Sequence, residues 1–261
     1  MYEPPPEAPD PAPPPANVLT SELFERGGDR ERYVRTMFSS IAPRYDLMNT
    51  LMTGGRHHAW RRLTARAVVL PGDRVVDVGC GTGDLAFASA EAGASTVLGV
   101  DFAAPMVELA RRKASAQLIE PGSAVSFAVA DATALPLADG AADAWCSAFV
   151  VRNIPDVDAA LAEAFRVLRP FGRLAILDMP RMEGGLLAPA ARLYMRGVVP
   201  ALGRAVSRHR DAYSYLPESV GRFLSTRELT AALRRAGFRV NEVRLLALGT
   251  VALHVADKRS A

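Results

Sequence analysis

Short apolar runs alternate along this chain with longer stretches whose apolar residues recur every three or four positions. Val75–Val78, Ser95–Val100, Val125–Val129, Ala144–Phe149 and Arg173–Leu177 have the length and composition of buried strands. Helical sequence lies between them, opening at Asp84 and spanning Ala103–Ala116 and Asp156–Leu168. In the last of these, Val157, Leu161, Phe165 and Leu168 form one stripe, so it should pack on a sheet. Such βα alternation predicts a parallel sheet with right-handed crossovers. Three helices, Ser21–Phe38, Arg44–Met52 and His58–Val69, precede the first strand and are expected to form a cap over residues 21–70. The rest of the chain, 71–261, reads as the main domain. After Asp178 the alternation breaks, and residues 180–224 hold helical pieces without a clear strand. An insertion on the carboxyl side of the sheet is well placed to cover a substrate. Order returns at Ser225-Thr226-Arg227-Glu228, a capping box opening Glu228–Ala236, and Gly237 stops that helix. Val240–Leu246 and Val251–Ala256 then predict an antiparallel pair closing the sheet edge.

Composition adds limits to this outline. A chain of 261 residues, 49% of them apolar, can bury the core of one large α/β domain. A net charge of +3 is too small to argue for nucleic acid. Cys80 and Cys146 are the only cysteines, both at strand positions; they suit a reducing cytosol and give no disulfide framework or zinc spacing. No run of 18 apolar residues occurs and the N-terminus lacks a signal-peptide pattern, so a cytoplasmic protein is expected. Residues 1–16 carry eight of the 19 prolines, and positions 1–20 should form a disordered tail biased to polyproline II.

The chemistry is carried by Val75-Val76-Asp77-Val78-Gly79-Cys80-Gly81-Thr82-Gly83-Asp84, a strand, a glycine-rich loop and a helix start. Asp84 stands where a dinucleotide fingerprint needs its third glycine, which disfavours a nicotinamide-dependent reductase. The G-x-G-x-G spacing instead resembles motif I of methyltransferases that use S-adenosylmethionine (SAM), and Gly79 and Gly81 are candidate cofactor contacts. Asp101 ends the second strand 20 residues past Gly81, where a carboxylate can accept both ribose hydroxyls or cap the following helix. After the third strand, Asp131 can accept an adenine amino group or serve as a turn residue, while the N–H of Ala132 meets a ring nitrogen.

A longer match follows. Phe38–Asn49, Trp60-Arg61-Arg62, Ala134-Leu135-Pro136, Arg152-Asn153, Arg166–Pro170, Asp211–Ser219 and Gly249–His254 resemble the C-methyltransferases of ubiquinone and menaquinone biosynthesis, across roughly residues 33–258. The resemblance implies a Rossmann-like class I methyltransferase fold, with a mostly parallel seven-stranded sheet and helices on both faces. It also implies SAM as methyl donor and a prenylated quinol as acceptor, with demethylmenaquinol preferred over a benzoquinol. Thr82, Asp101, Asp131 and Ala132 align with the family's SAM contacts. Ala148 replaces a serine that some members use, and Ser147 should face the other way. Pro180-Arg181-Met182 is a further departure, and the acid ending the fifth strand is Asp178 rather than glutamate.

Methylating a ring carbon requires loss of a hydroxyl proton, alignment of that carbon behind the methyl, and exclusion of water. Arg152 is a candidate for stabilising the phenolate, or else a structural ion pair; Tyr45, Asp46, Tyr213 and Tyr215 are candidates for packing or hydrogen-bonding the ring, the first two as catalytic residues and the last two as substrate-binding ones. His57, His58 and His209 are read as surface or capping residues, His254 as structural, and no metal site is expected. A prenylated substrate implies transient contact with the membrane surface. Leu186, Leu187, Leu193, Tyr194 and Val198 in Leu186–Arg204 offer an apolar side for it, or for the core or a homodimer.

Overall fold

The computed structural model of the chain describes residues 27–42, 45–116, 123–184, 193, 197 and 210–259. The proline-rich segment, nearly all of Leu186–Arg204, His209 and the side chain of Tyr213 lie outside the described residues. The strands are β1 (Arg74–Val78), β2 (Thr96–Asp101), β3 (Ala124–Val129), β4 (Ala142–Ala148), β5 (Leu168–Asp178), β6 (Phe238–Leu246) and β7 (Val251–Lys258). The helices of at least eight residues are α1 (Gly27–Ile41), α2 (Tyr45–Thr53), α3 (Arg56–Val68), α4 (Asp84–Glu91), α5 (Ala104–Ala116), α6 (Val157–Val167), α7 (Arg210–Arg222) and α8 (Thr226–Arg235).

The seven strands form one sheet in the order β3-β2-β1-β4-β5-β7-β6. The first five are parallel, and β7 runs antiparallel to both β5 and β6. Two-residue alternation divides each strand between two cores. Val75, Ala144, Cys146 and Ala148 pack with α3, α4 and α5; Val76, Val78, Trp145, Leu174 and Ile176 pack with α6 and α8. Helix α4 is buried from Leu85 to Ala90, which its run of alanines permits in the narrow space against the sheet. Ser147 and Ala148 face opposite sides, as alternation requires, and both are buried.

Helix starts follow local chemistry. Asp156 accepts the N–H of Ala159 at the start of α6, and both bonds of the Ser225/Glu228 capping box open α8. Strand β5 is longer than its apolar pattern suggests. It begins at Leu168, which pairs with Ala142, and the next pair joins Ala144 to Arg173. The residues between bulge outward, with Phe171 exposed and left-handed (φ 61°). Lys258 Nζ accounts for the abrupt helix-to-strand change: it donates to the carbonyls of Phe165 and Leu168 at 2.6 and 2.7 Å, satisfying the end of α6. Helices α1, α2 and α7 meet around Val34, Met37, Ile41, Met48 and Tyr215, and this small core reaches Phe102 just beyond β2.

Candidate functional site

Strand order reverses between β1 and β4, so a crevice opens at the carboxyl ends of these neighbours. The glycine-rich loop lies there. Gly79 has φ 70°, and a Cβ on it would come within 2.3 Å of both Val150 methyls, so only glycine fits beside the segment that follows β4. The N–H groups of Gly79 and Cys80 both donate to the Val100 carbonyl, at 2.8 and 2.9 Å, which hangs the loop from the end of β2. The Tyr45 ring lies over Gly81, 3.7 Å from where a Cβ would stand.

Asp101 is the hinge of this arrangement. One carboxylate oxygen accepts the N–H of Gly81 and the other that of Ala103, each at 2.9 Å. It therefore organises the loop and the entry to α5 together, and each oxygen retains a lone pair for a ligand hydroxyl. Burial raises its pKa from the ordinary aspartate value, against the opposing effect of the backbone N–H groups. Beside it is a cavity of about 190 Å³, lined by Gly79, Asp101, Phe102, Asp131, Ala132 and Thr133, with Val150 and Asn153–Asp156 opposite and Val34 of α1 above. Phe102, Val150 and Ile154 give it apolar walls suited to a flat base, while the Asp101 carboxylate suits a ribose. Asp131 serves the turn as well, since Oδ1 accepts both the N–H and the hydroxyl of Thr133.

Thr82 stands apart from the cavity wall. Its hydroxyl donates to Asp46 Oδ1 at 2.6 Å and accepts from Lys113 Nζ at 3.0 Å. Lys113 also lies 2.6 Å from Asp46 Oδ2 and 3.2 Å from Asp84 Oδ1. Arg61 Nη1 is 3.8 Å from Asp84 and bonds His57 Nδ1; His57 Nε2 meets the Thr50 hydroxyl, which donates to the Asp46 carbonyl. A closed polar ring thus joins α2, α3, the start of α4 and α5 around the glycine-rich loop. His57 is fully buried in it rather than at the surface, and burial, with Arg61 beside it, lowers its pKa to about 4, so it is neutral. His57, His58 and Asp84 bring potential ligand atoms within 4.8 Å of one another, but Arg61 and Lys113 already answer the Asp84 charge. His254 is buried, with Nε2 3.1 Å from the Thr226 carbonyl, in keeping with its structural reading.

Arg152 lies in the short helical turn after β4, buried in an ion pair with Asp178 at 2.8 Å. Its neighbour Asn153 lines the cavity, and the Tyr215 hydroxyl donates to Asn153 Oδ1 at 3.3 Å. The structure thus brings Gly79, Asp101, Asp131 and Ala132 to one cavity and sets Tyr45 and Asp46 against the loop beside it, at Gly81 and Thr82. Asn153, Phe102 and Val34 were not singled out as site residues by the pattern of the chain. Asn153 had a signal in its place a few residues past the fourth strand, next to Arg152; Val34 had none, because its position depends on how α1 folds back.

Comparison with known proteins agrees with this geometry. The model of the ubiE/COQ5 methyltransferase family matches residues 27–258. A demethylmenaquinone methyltransferase of Thermus thermophilus is 46% identical over 227 residues, 85% of this chain and all of that one. The ubiquinone/menaquinone biosynthesis C-methyltransferase UbiE of Dinoroseobacter shibae is 37% identical over 235 residues, 88% of this chain and 92% of its own. Among solved structures, a SAM-dependent methyltransferase of Aquifex aeolicus superposes with a TM-score of 0.56 at 22% identity, over 81% of this chain and 97% of its own, a likeness of fold. With the match running from α1 to the last strand, the chain belongs to the ubiE/COQ5 methyltransferase family and is a SAM-dependent methyltransferase.

Proposed function

We propose that this enzyme methylates a ring carbon of a prenylated quinol, with demethylmenaquinol as the acceptor. The observation carrying the reading is the cavity at the β1/β4 switch point, with Asp101, Asp131 and Ala132 on its wall, in a chain 46% identical to a demethylmenaquinone methyltransferase. When bound, SAM supplies an electrophilic methyl on a sulfonium. In this reading Asp101 accepts the ribose hydroxyls, and Asp131 with the Ala132 N–H reads the adenine edge. Gly79 and Gly81 let the loop backbone approach, and Thr82 anchors the loop to the cap.

Alignment of the ring carbon supplies most of the acceleration, an effect worth about 7–11 kcal/mol in well-oriented systems. The core of α1, α2 and α7 above the cavity, with Tyr45 over the loop, excludes water from that alignment. Asp46 stays a candidate for the chemical step and Tyr213 for binding the acceptor ring, and Tyr215 holds Asn153 toward the cavity. Since the prenyl tail resides in the bilayer, the enzyme works at the inner membrane surface; among the described residues no helix is long and apolar enough to cross a membrane.

A benzoquinol acceptor is the second reading, because the relative from Dinoroseobacter shibae carries both quinones in its name. The test is incubation with methyl-labelled SAM and either reduced demethylmenaquinone or reduced 2-polyprenyl-6-methoxy-1,4-benzoquinone. Label in the naphthoquinol product is expected to dominate. Label only in the benzoquinol transfers the assignment to ubiquinone synthesis, and label in neither refutes the quinol reading.

A further inference from the structure

Four described residues other than glycine have a left-handed backbone: Phe149, Phe171, Ala247 and Leu248. Phe171 and Leu248 are well exposed and Ala247 precedes Leu248 in the same turn, where little opposes an unusual conformation. Phe149 differs. It directly follows the central strand β4, half-buried, with φ 65°, a conformation that bulky side chains adopt only where the surroundings impose it.

The surroundings here are explicit. The Phe149 N–H donates to the Leu177 carbonyl at 2.7 Å, and the Phe149 carbonyl accepts from Arg152 Nη1. Arg152 is fixed in turn by Asp178, which takes its side chain on Oδ1 at 2.8 Å and its backbone N–H on Oδ2 at 3.0 Å. So held, the Phe149 ring faces α3. The Trp60 ring lies 6.4 Å away between centroids, and the Arg61 guanidinium carbon lies 5.4 Å from the Phe149 centroid. The next residue, Val150, packs on Gly79 and lines the cofactor cavity. The ring therefore packs toward α3 at the carboxyl edge of the sheet, one residue along the chain from the cavity lining.

We infer that Arg152 is a positioning residue acting through Phe149: the Arg152–Asp178 pair fixes the Phe149 backbone, and thereby sets its ring, with Trp60 and Arg61, as the wall against which a flat, electron-rich acceptor ring lies. This rests on the quinol reading for the identity of the acceptor, and on the geometry above for the coupling. The Arg61 guanidinium beside the Phe149 ring favours an aromatic acceptor carrying negative charge, the form the acceptor takes once its hydroxyl is deprotonated.

The test is a double-mutant cycle in the full-length enzyme, combining Phe149→Leu with Arg152→Lys, which keeps the charge opposite Asp178 but not the forked reach to the Phe149 carbonyl. Each single variant should raise KM for the reduced acceptor about tenfold with SAM affinity unchanged, and the combination should be no worse than either alone. Effects that multiply toward about a hundredfold would mean that Arg152 acts independently of Phe149 and would overturn the inference. A second readout needs no turnover. The chain has two tryptophans, so its spectrum of 15N-labelled indoles carries two signals, and Arg152→Lys should shift the Trp60 signal as Phe149→Leu does. An unmoved Trp60 signal in Arg152→Lys overturns the coupling even if no quinol is methylated; that last result would count against the acceptor alone. Should Arg152→Lys not fold, the pair Arg152→Met with Asp178→Leu, which leaves no lone buried charge, replaces it in both measurements with the same outcomes.

Discussion

Two buried aspartates, 24 positions apart, show how position decides what a carboxylate does. Asp101 is satisfied by two backbone N–H groups and faces the cavity, so its charge remains available to a ligand. Asp101→Ala removes a charged acceptor from two ribose hydroxyls, each such bond being worth about 1.5–3 kcal/mol, and SAM affinity should fall by about 10²-fold or more in titration calorimetry. Unchanged affinity would remove Asp101 from the cofactor site. Asp77 shares the face of Val75, and its two carboxylate oxygens find no hydrogen-bond partner among the described residues. Burial pushes its pKa up to about 7. The folded protein therefore keeps a proton that the unfolded chain gives up above about pH 4, and stability is lost as pH rises from there through about 7. Asp77→Asn should accordingly raise Tm by several degrees at pH 8 and change it little at pH 4. An equal effect at both pH values would show that Asp77 acts by something other than its proton. Of these two, only the place of Asp101, at a strand end beside the glycine-rich loop, was legible in the chain. The isolation of Asp77 depends on what α3 and α4 place over it.

Among elements, the ones most legible in the sequence are those whose partners are close in the chain. The five parallel strands and the capping box of α8 follow from local apolar runs and from Ser225-Thr226-Arg227-Glu228. The early start of β5 was not legible, because it depends on Lys258, 90 residues away, reaching the Leu168 carbonyl. Nor was the polar ring, whose members Asp46, His57, Arg61, Thr82, Asp84 and Lys113 come from four helices and a loop. In that ring Lys113 is the bridge from α5, touching both aspartates and Thr82. The groups are only partly buried, so losing the bridge costs about 1–2 kcal/mol rather than the larger penalty of a deep ion pair. Lys113→Met should therefore leave the sheet intact and loosen α2 from the glycine-rich loop. Hydrogen exchange should quicken in Tyr45–Thr53 while β1 and β4 stay protected. Equal acceleration across the sheet would show that the ring supports the whole core instead.

For the molecule as a whole, the fold class was readable from alternation and motif I, whereas the cap was readable only as helices. Which cavity they cover depends on α1, α2 and α7 meeting at Phe102. That enclosure bears on the chemistry. A ring carbon attacks a sulfonium methyl only after a neighbouring hydroxyl has lost its proton and pushed charge into the ring. A quinone has no such hydroxyl, so no positioning by the cavity makes its ring nucleophilic. Methyl transfer should thus require the reduced acceptor: with dithionite-reduced demethylmenaquinone, label from SAM enters the product, and with the oxidised form turnover vanishes although SAM still binds. The rate with reduced acceptor should also rise with pH until the hydroxyl proton is removed readily by its acceptor in the site. Equal turnover of oxidised and reduced acceptor would refute carbon attack by a quinolate. The cavity and the Asp101 assignment would survive that result, because they rest on the fold at the β1/β4 crevice rather than on the acceptor's redox state.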